Sequence, residues 1–205
     1  MNEVALYLAS RSPRRRELLQ QLGLAHGLLP ADVDESPLPG ESAEAFVIRI
    51  ALEKARAGRQ VAPSPLPVLG ADTAVVCDGR ILGKPADAAD AAAMLALLSG
   101  RAHRVLTGVA VLGQREQTVL SETRVQFRQI APAEADAYWA SGEPRDKAGA
   151  YAIQGRGALF VERISGSYTG VVGLPLFETA RLLAAEGVHP WDSTLVPSNL
   201  GNQTP

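Results

Sequence analysis

Residues 68–76, Val-Leu-Gly-Ala-Asp-Thr-Ala-Val-Val, make an almost unbroken apolar, β-branched run, the pattern of a strand in the middle of a sheet. Pro63, Pro65 and Pro67 punctuate the approach to it. Asp78-Gly79 follows as a turn dipeptide between apolar runs, so Ile81 and Leu82 are expected to pair back on the strand as a hairpin. Two residues break the run. Gly70 leaves room for close approach of backbone or ligand. Asp72 sets a carboxylate where a bare charge costs several kcal/mol, so it must be paired, hydrogen-bonded or bound to a cation. That makes Asp72 a site candidate; the alternative is a strand-end aspartate accepting backbone amides.

Helices and strands alternate around this run. Residues 4–9 read as a short buried strand, after which Ser12 caps and Pro13 starts a helix over residues 14–22 that Gly23 ends. A second helix spans residues 42–56, where Phe46, Val47, Ile50, Ala51 and Lys54 fall on overlapping faces. Asp87 caps a third, alanine-rich helix that runs to Leu98 and closes at Ser99-Gly100. Residues 104–112 and 118–130 read as an antiparallel hairpin, and Pro132 starts a fourth helix ending near Ser141-Gly142. Residues 143–157 are glycine-rich and irregular; strands at 159–164 and 168–172 and a last helix at 176–185 follow. The pattern predicts an α/β fold with a central, strongly twisted mixed sheet flanked by helices, in one domain over residues 1–188. Residues 189–205 carry three prolines and little periodicity, and are expected to be a poorly ordered tail.

Composition removes several classes of function. A chain 46% hydrophobic and 20% charged folds as a globule rather than remaining disordered. Its 20 Lys and Arg against 22 Asp and Glu leave a net charge of -2, with no global positive field for nucleic acid or an anionic membrane. No stretch approaches the roughly 18 uncharged apolar residues that cross a bilayer. The single cysteine, Cys77, excludes an internal disulfide and a cysteine metal cage, and fits a reducing compartment. Near the N-terminus the arginines follow a short apolar run instead of preceding a longer one, the reverse of a secretory signal, so a cytoplasmic protein is expected. His26, His103 and His189 form no HxxxH pattern and no GxSxG is present, which sets aside zinc hydrolysis and the commonest serine hydrolase chemistry.

Positive candidates cluster in four places. Ser10-Arg11-Ser12-Pro13-Arg14-Arg15 lies between a strand and a helix start, where amides, a hydroxyl and guanidinium groups favour a phosphate; a capped helix with solvated arginines accounts for the same residues. Lys84, in Gly83-Lys84-Pro85, follows the hairpin and can return toward Asp72, but its surroundings lack the spacing and the Ser/Thr of a Walker A loop. Lys54 either snorkels to water from its apolar stripe or joins Lys84 near the same carboxylate. Glu35, in the loop after the first helix, could pair with Asp72 to hold Mg²⁺, a cation that takes oxygen ligands and keeps several waters.

Leu8-Ala9-Ser10-Arg11-Ser12-Pro13-Arg14-Arg15, Glu53-Lys54-Ala55, Gly70-Ala71-Asp72-Thr73, Gly83-Lys84-Pro85 and Leu97-Leu98-Ser99-Gly100-Arg101, in this order, resemble the Maf family of nucleoside triphosphate pyrophosphatases over about residues 4–185. The resemblance implies a sheet with a nucleotide cleft related to the inosine triphosphate pyrophosphatases, and a homodimer. It implies hydrolysis between the α and β phosphates, giving a nucleoside monophosphate and pyrophosphate. Asp146-Lys147-Ala148-Gly149-Ala150-Tyr151-Ala152-Ile153-Gln154-Gly155 looks like the branch acting on dTTP and UTP, whose specificity positions match Arg14, Thr73 and Gln154. Arg11 and Ala152 depart from that branch, where a small residue and a glycine are common. The family name also implies an association with septum formation.

Chemistry can be written beside the resemblance. Arg14, Arg15, Lys54 and Lys84 would neutralise the phosphate chain, with Ser10 beside them, while Mg²⁺ or Mn²⁺ bridges phosphate oxygens to Asp72 and Glu35. Water would attack the α-phosphorus, with Asp72 as proton acceptor or metal anchor. Gln154 carries the donor and acceptor needed to read the O4 and N3–H edge of a pyrimidine. Two further readings stand: a non-catalytic nucleotide-sensing module linked to cell division, and a pyrophosphatase of the same family that prefers 7-methyl-GTP. A nucleic-acid binder is set aside, because the basic segment is short and only 5% of residues are aromatic.

Overall fold

The structure, a computed structural model, describes residues 4–191. Three parallel strands come first, β1 (Leu6–Ala9), β2 (His26–Leu29) and β3 (Val68–Cys77), linked through helices α1 (Pro13–Gln21) and α2 (Ala43–Val61). β4 (Arg80–Leu82), α3 (Ala88–Leu98), β5 (Ala102–Leu112), β6 (Glu116–Phe127), α4 (Pro132–Ala140), β7 (Val161–Ser165), α5 (Tyr168–Val172) and α6 (Leu176–Ala184) follow. The seven strands form one mixed sheet in the order β2-β1-β3-β5-β6-β7, with β4 on β3.

β3 is the axis of this sheet. One edge pairs with β5 throughout, from Val68 opposite Leu112 to Val76 opposite Arg104. The other edge is shared. β1 reaches only Val68 and Leu69, and β4 pairs from Val75 onward after the Asp78-Gly79 turn. Residues 70–74 therefore face a gap between the carboxyl end of β1 and the β4 hairpin, the kind of crevice where α/β sheets bind ligands.

Alternation along β3 assigns its side chains to two faces. Ala74 and Val76 pack with Phe46, Val47 and Ile50 of α2, whereas Leu69 and Ala71 pack with α1 and α6, and Val75 with α3 and α4. Helix α2 lies close to the sheet because two glycines admit it. A Cβ on Gly70 would stand 2.2 Å from the Ala51 carbonyl oxygen, and one on Gly108 would stand 2.4 Å from that of Val47. No side chain fits at either point, so the helix backbone rests on the strands and Lys54 reaches the level of Asp72.

The expected elements are present with three differences. Residues 168–172 form a short helix instead of a strand: Ser167 caps it by accepting from the Gly170 amide, which overrides the β-branched Val171-Val172 pair. β2 was not expected, and α2 continues through buried Gly58 to Val61. Residues 192–205, most of the expected tail, lie outside the described residues. Among the described residues no helix is long and apolar enough to cross a membrane.

Candidate active site

The gap beside β3 opens into a cleft of about 920 Å³. The candidate catalytic, substrate and metal residues read from the sequence all line it: Ser10, Arg14, Arg15, Glu35, Lys54, Asp72, Thr73, Lys84 and Gln154.

Lys54 is the centre of the charged side. It is 6% exposed and Asp72 is 7% exposed, so both are withdrawn from water. The Lys54 ammonium lies 2.7 Å from Asp72 Oδ1 and 2.6 Å from Glu35 Oε1. Snorkelling is thereby replaced by a bridge from the buried ammonium to a buried carboxylate, Asp72, and an exposed one, Glu35. Burial opposes the Glu35 charge, but the bond from Lys54 and the fields of Lys54, Lys84 and Arg15 outweigh it and hold the carboxyl below its ordinary range. Lys84 lines the opening from the loop after β4, where the Gly83 carbonyl accepts from the Gly149 amide.

Glu35 depends on a loop that Arg49 of α2 fixes. The Arg49 guanidinium donates to the Ser36 carbonyl at 3.1 Å and to both Glu41 oxygens at 2.6 and 2.7 Å. That bonding lowers the Glu41 carboxyl to about 2, so the clamp is ionised at neutral pH.

On the other face of β3 the groups are hydroxyls. Arg15 donates through Nε to the Gly173 carbonyl at 2.8 Å and through Nη2 to Thr73 Oγ1 at 3.2 Å. Burial lowers the Arg15 guanidinium from its ordinary value, while the Asp72 charge supports it. Thr73 in turn lies 3.0 Å from the Thr107 hydroxyl, its register partner on β5. Ser10 accepts from the Ser12 amide, and Ser12 caps α1, so this pair shapes the turn between β1 and the helix.

The irregular segment 143–157 supplies the last wall. Asp146 pairs with Lys147 and, at 3.5 Å, with Arg14, which ties this segment to the start of α1. Tyr151 is buried against His103 and Phe127, and Gln154 lies exposed at the cleft three residues on. Arg11, one of the two departures from the dTTP/UTP pattern, is turned to Asp32 at the rim, 2.6 Å away. Asp146 and Lys147 were visible in the sequence only as part of a motif. Thr107 carried no local signal.

A cation placed between Glu35 and Asp72 would meet carboxylate oxygens. Among the described residues no group of three or more His, Cys, Asp or Glu is placed to hold a metal ion. Lys54 engages one oxygen each of Glu35 and Asp72 and leaves the other oxygen of each carboxylate, a donor pair that suits Mg²⁺ completed by water and phosphate.

The pattern of the Maf-like proteins matches residues 5–186. A dTTP/UTP pyrophosphatase of Alkalilimnicola ehrlichii is 57% identical over 183 residues, 87% of this chain and 91% of that protein. Those of Aromatoleum aromaticum and Nitrosomonas europaea are each 55% identical, covering 90% and 89% of this chain and 97% and 95% of theirs. A solved structure from Mycobacterium abscessus, described as a nucleoside-triphosphatase or dITP/XTP pyrophosphatase, overlaps 61% of this chain and 74% of its own at 23% identity and a TM-score of 0.38, too partial a likeness to bear on the fold. With the pattern spanning almost all the described residues and relatives this similar along most of their length, the chain belongs to the Maf-like protein family.

Proposed function

We propose that the protein hydrolyses dTTP and UTP between the α and β phosphates, releasing the nucleoside monophosphate and pyrophosphate. The observation that carries the chemistry is the buried Lys54 bridge between Asp72 and Glu35 at the open edge of β3. The substrate reading is supported by relatives 53–57% identical that bear the name dTTP/UTP pyrophosphatase.

In this reading Lys54 and Lys84, with Arg14 and Arg15 beside them, meet the charge of the triphosphate. Asp72 Oδ1 is held by Lys54, and the second carboxylate oxygen serves the water that attacks the α-phosphorus, as its proton acceptor or as an anchor of the cation that makes it more acidic. The Pα–O–Pβ bond breaks as that water's oxygen joins phosphorus, and pyrophosphate leaves. Glu35 and Asp72 are the residues that would hold a divalent cation, Mg²⁺ or Mn²⁺, which when bound supplies charge neutralisation and a more acidic water. Thr73 and Gln154 face the pyrimidine. The reading extends to a homodimer, on family likeness, and to a cytoplasmic location, on the single buried free thiol of Cys77.

The test is a nucleotide panel with Mg²⁺, scoring pyrophosphate and monophosphate. Release of both from dTTP and UTP, well ahead of CTP, dCTP and purine triphosphates, supports the proposal. Binding without turnover leaves a nucleotide-sensing module; a preference for 7-methyl-GTP moves the base assignment to another branch of the family.

A further inference from the structure

Thr107 is 0% exposed and cannot touch a ligand, yet it decides what Thr73 can do. A threonine hydroxyl has one proton and two acceptor positions. Thr107 spends its proton on the Gly170 carbonyl of α5, at 2.8 Å. In the 3.0 Å contact between the two hydroxyls the donor must therefore be Thr73. Arg15, which has only donors, points Nη2 at the same Thr73 oxygen from 3.2 Å. The proton of Thr73 is thus committed to the interior, one of its acceptor positions is taken, and what remains for the cleft is a single acceptor.

We infer that Thr107 is a specificity-positioning residue: by fixing the direction of the Thr73 hydroxyl it makes Thr73 an acceptor toward the ligand, which admits a base edge with an N–H and refuses one with a lone pair in that place. Uracil and thymine carry N3–H; cytosine carries an unprotonated N3. The relay divides the base edge between two residues, with Thr73 taking N3–H and the Gln154 amide free to donate to O4. It also gives a role to the short helix at residues 168–172, which holds the carbonyl at the end of the chain. This inference rests on the proposed reading that Thr73 faces the pyrimidine, and its test separates the two.

The experiment measures kcat/KM for UTP and CTP in the same preparations of the wild type, T107V, T107S and T73V. A ratio within one preparation is insensitive to the folded fraction, so a stability loss in T107V leaves the readout intact. T107V frees the Thr73 proton to turn into the cleft, and the CTP-to-UTP ratio should rise roughly three- to tenfold, the worth of one hydrogen bond. T107S keeps the relay and should return the ratio to the wild-type value. An unchanged ratio in T107V while T73V shifts it overturns the relay and leaves the base reading standing. If T107S behaves as T107V, the methyl group matters and the relay is again refuted. Should neither T73V nor T107V move the ratio, Thr73 does not read the base, and the underlying assignment falls.

Discussion

The two faces of β3 hold their polar groups in opposite ways. Toward α2, Asp72 and Glu35 are carboxylates that share the single ammonium of Lys54 at 2.7 and 2.6 Å. Toward α1 and α5, Thr73 and Thr107 are neutral hydroxyls whose protons run in one direction, with Arg15 at the outer end of the chain. Asp72 and Thr73 are adjacent in sequence, and the alternation of a strand sends them to opposite faces. Both faces meet the same cleft because the edge of β3 is open between β1 and β4. In the proposed reading one strand serves the phosphates from the α2 side and the base from the other, with Arg15 reaching both from the outer end. Charge is a poor tool for telling cytosine from uracil, since neither ring is charged; directed hydrogen bonds are a poor tool for a polyanion, which needs neutralisation first.

The largest break in this division comes from Asp72→Asn. The amide cannot accept the proton, so pyrophosphate release should fall about 10³-fold or more. Lys54 keeps Glu35 as partner, and the melting temperature should hold. Near-normal release by the variant removes Asp72 from the chemistry.

Lys54→Ala and Lys84→Ala sharpen the same face by separating burial from charge. Each should slow turnover by about 10²-fold, because each ammonium stabilises charge on the transferring phosphates. Only the first should unfold readily: removing Lys54 strands a buried Asp72 carboxylate, at a cost of about 3–5 kcal/mol. Lys84 is exposed, and thermal melts of its variant should match the wild type. Equal melting of the two variants would mean that the bridge contributes nothing to the fold.

On the opposite face, Gln154→Ala should erode the preference for UTP over CTP by about tenfold while slowing UTP hydrolysis less. Paired kcat/KM values decide it. A uniform loss on both nucleotides assigns Gln154 to general binding.

The smallest effect on activity lies beneath the wall that carries Gln154, where the change is one of stability alone. Burial lowers His103 from 6.5 to about 4, and its Nε2 meets the Tyr151 hydroxyl at 2.9 Å. The unfolded chain binds that proton first, so the stability contributed by neutral His103 is complete above about 6.5 and is lost as pH falls from there toward 4. The loss amounts to about 3 kcal/mol at most. Melting temperature against pH should decline less steeply over this window in His103→Gln, and identical slopes would show that His103 titrates freely.

How much of this was legible beforehand follows from what each feature depends on. The central strand, its hairpin and the capped start of α1 are written in local patterns, and they came through in the structure with their boundaries nearly intact. Lys54 facing Asp72 was within reach because a lysine in an apolar helical stripe and an aspartate in an apolar strand each need a partner. Glu35 was not fixed by its own neighbours; its place comes from Arg49 gripping the loop from another element. Residues 168–172 misled for a related reason. Their β-branched side chains favour a strand locally, but the Ser167 cap and the long-range bond from Thr107 to the Gly170 carbonyl hold a helical turn. β2, only His26–Leu29 with a glycine inside, is a strand because β1 offers it an edge.

The division between faces is tested most directly by binding without turnover. Calorimetric titration of Asp72→Asn with UTP and with CTP, in Mg²⁺, isolates recognition from chemistry. The account predicts that the variant releases pyrophosphate too slowly to disturb the titration yet binds UTP about tenfold or more tightly than CTP, because Thr73, Thr107 and Arg15 are untouched on the other side of the strand. Equal affinity for the two nucleotides in this variant would mean that base recognition depends on the charged face, and the separation drawn along β3 would be wrong.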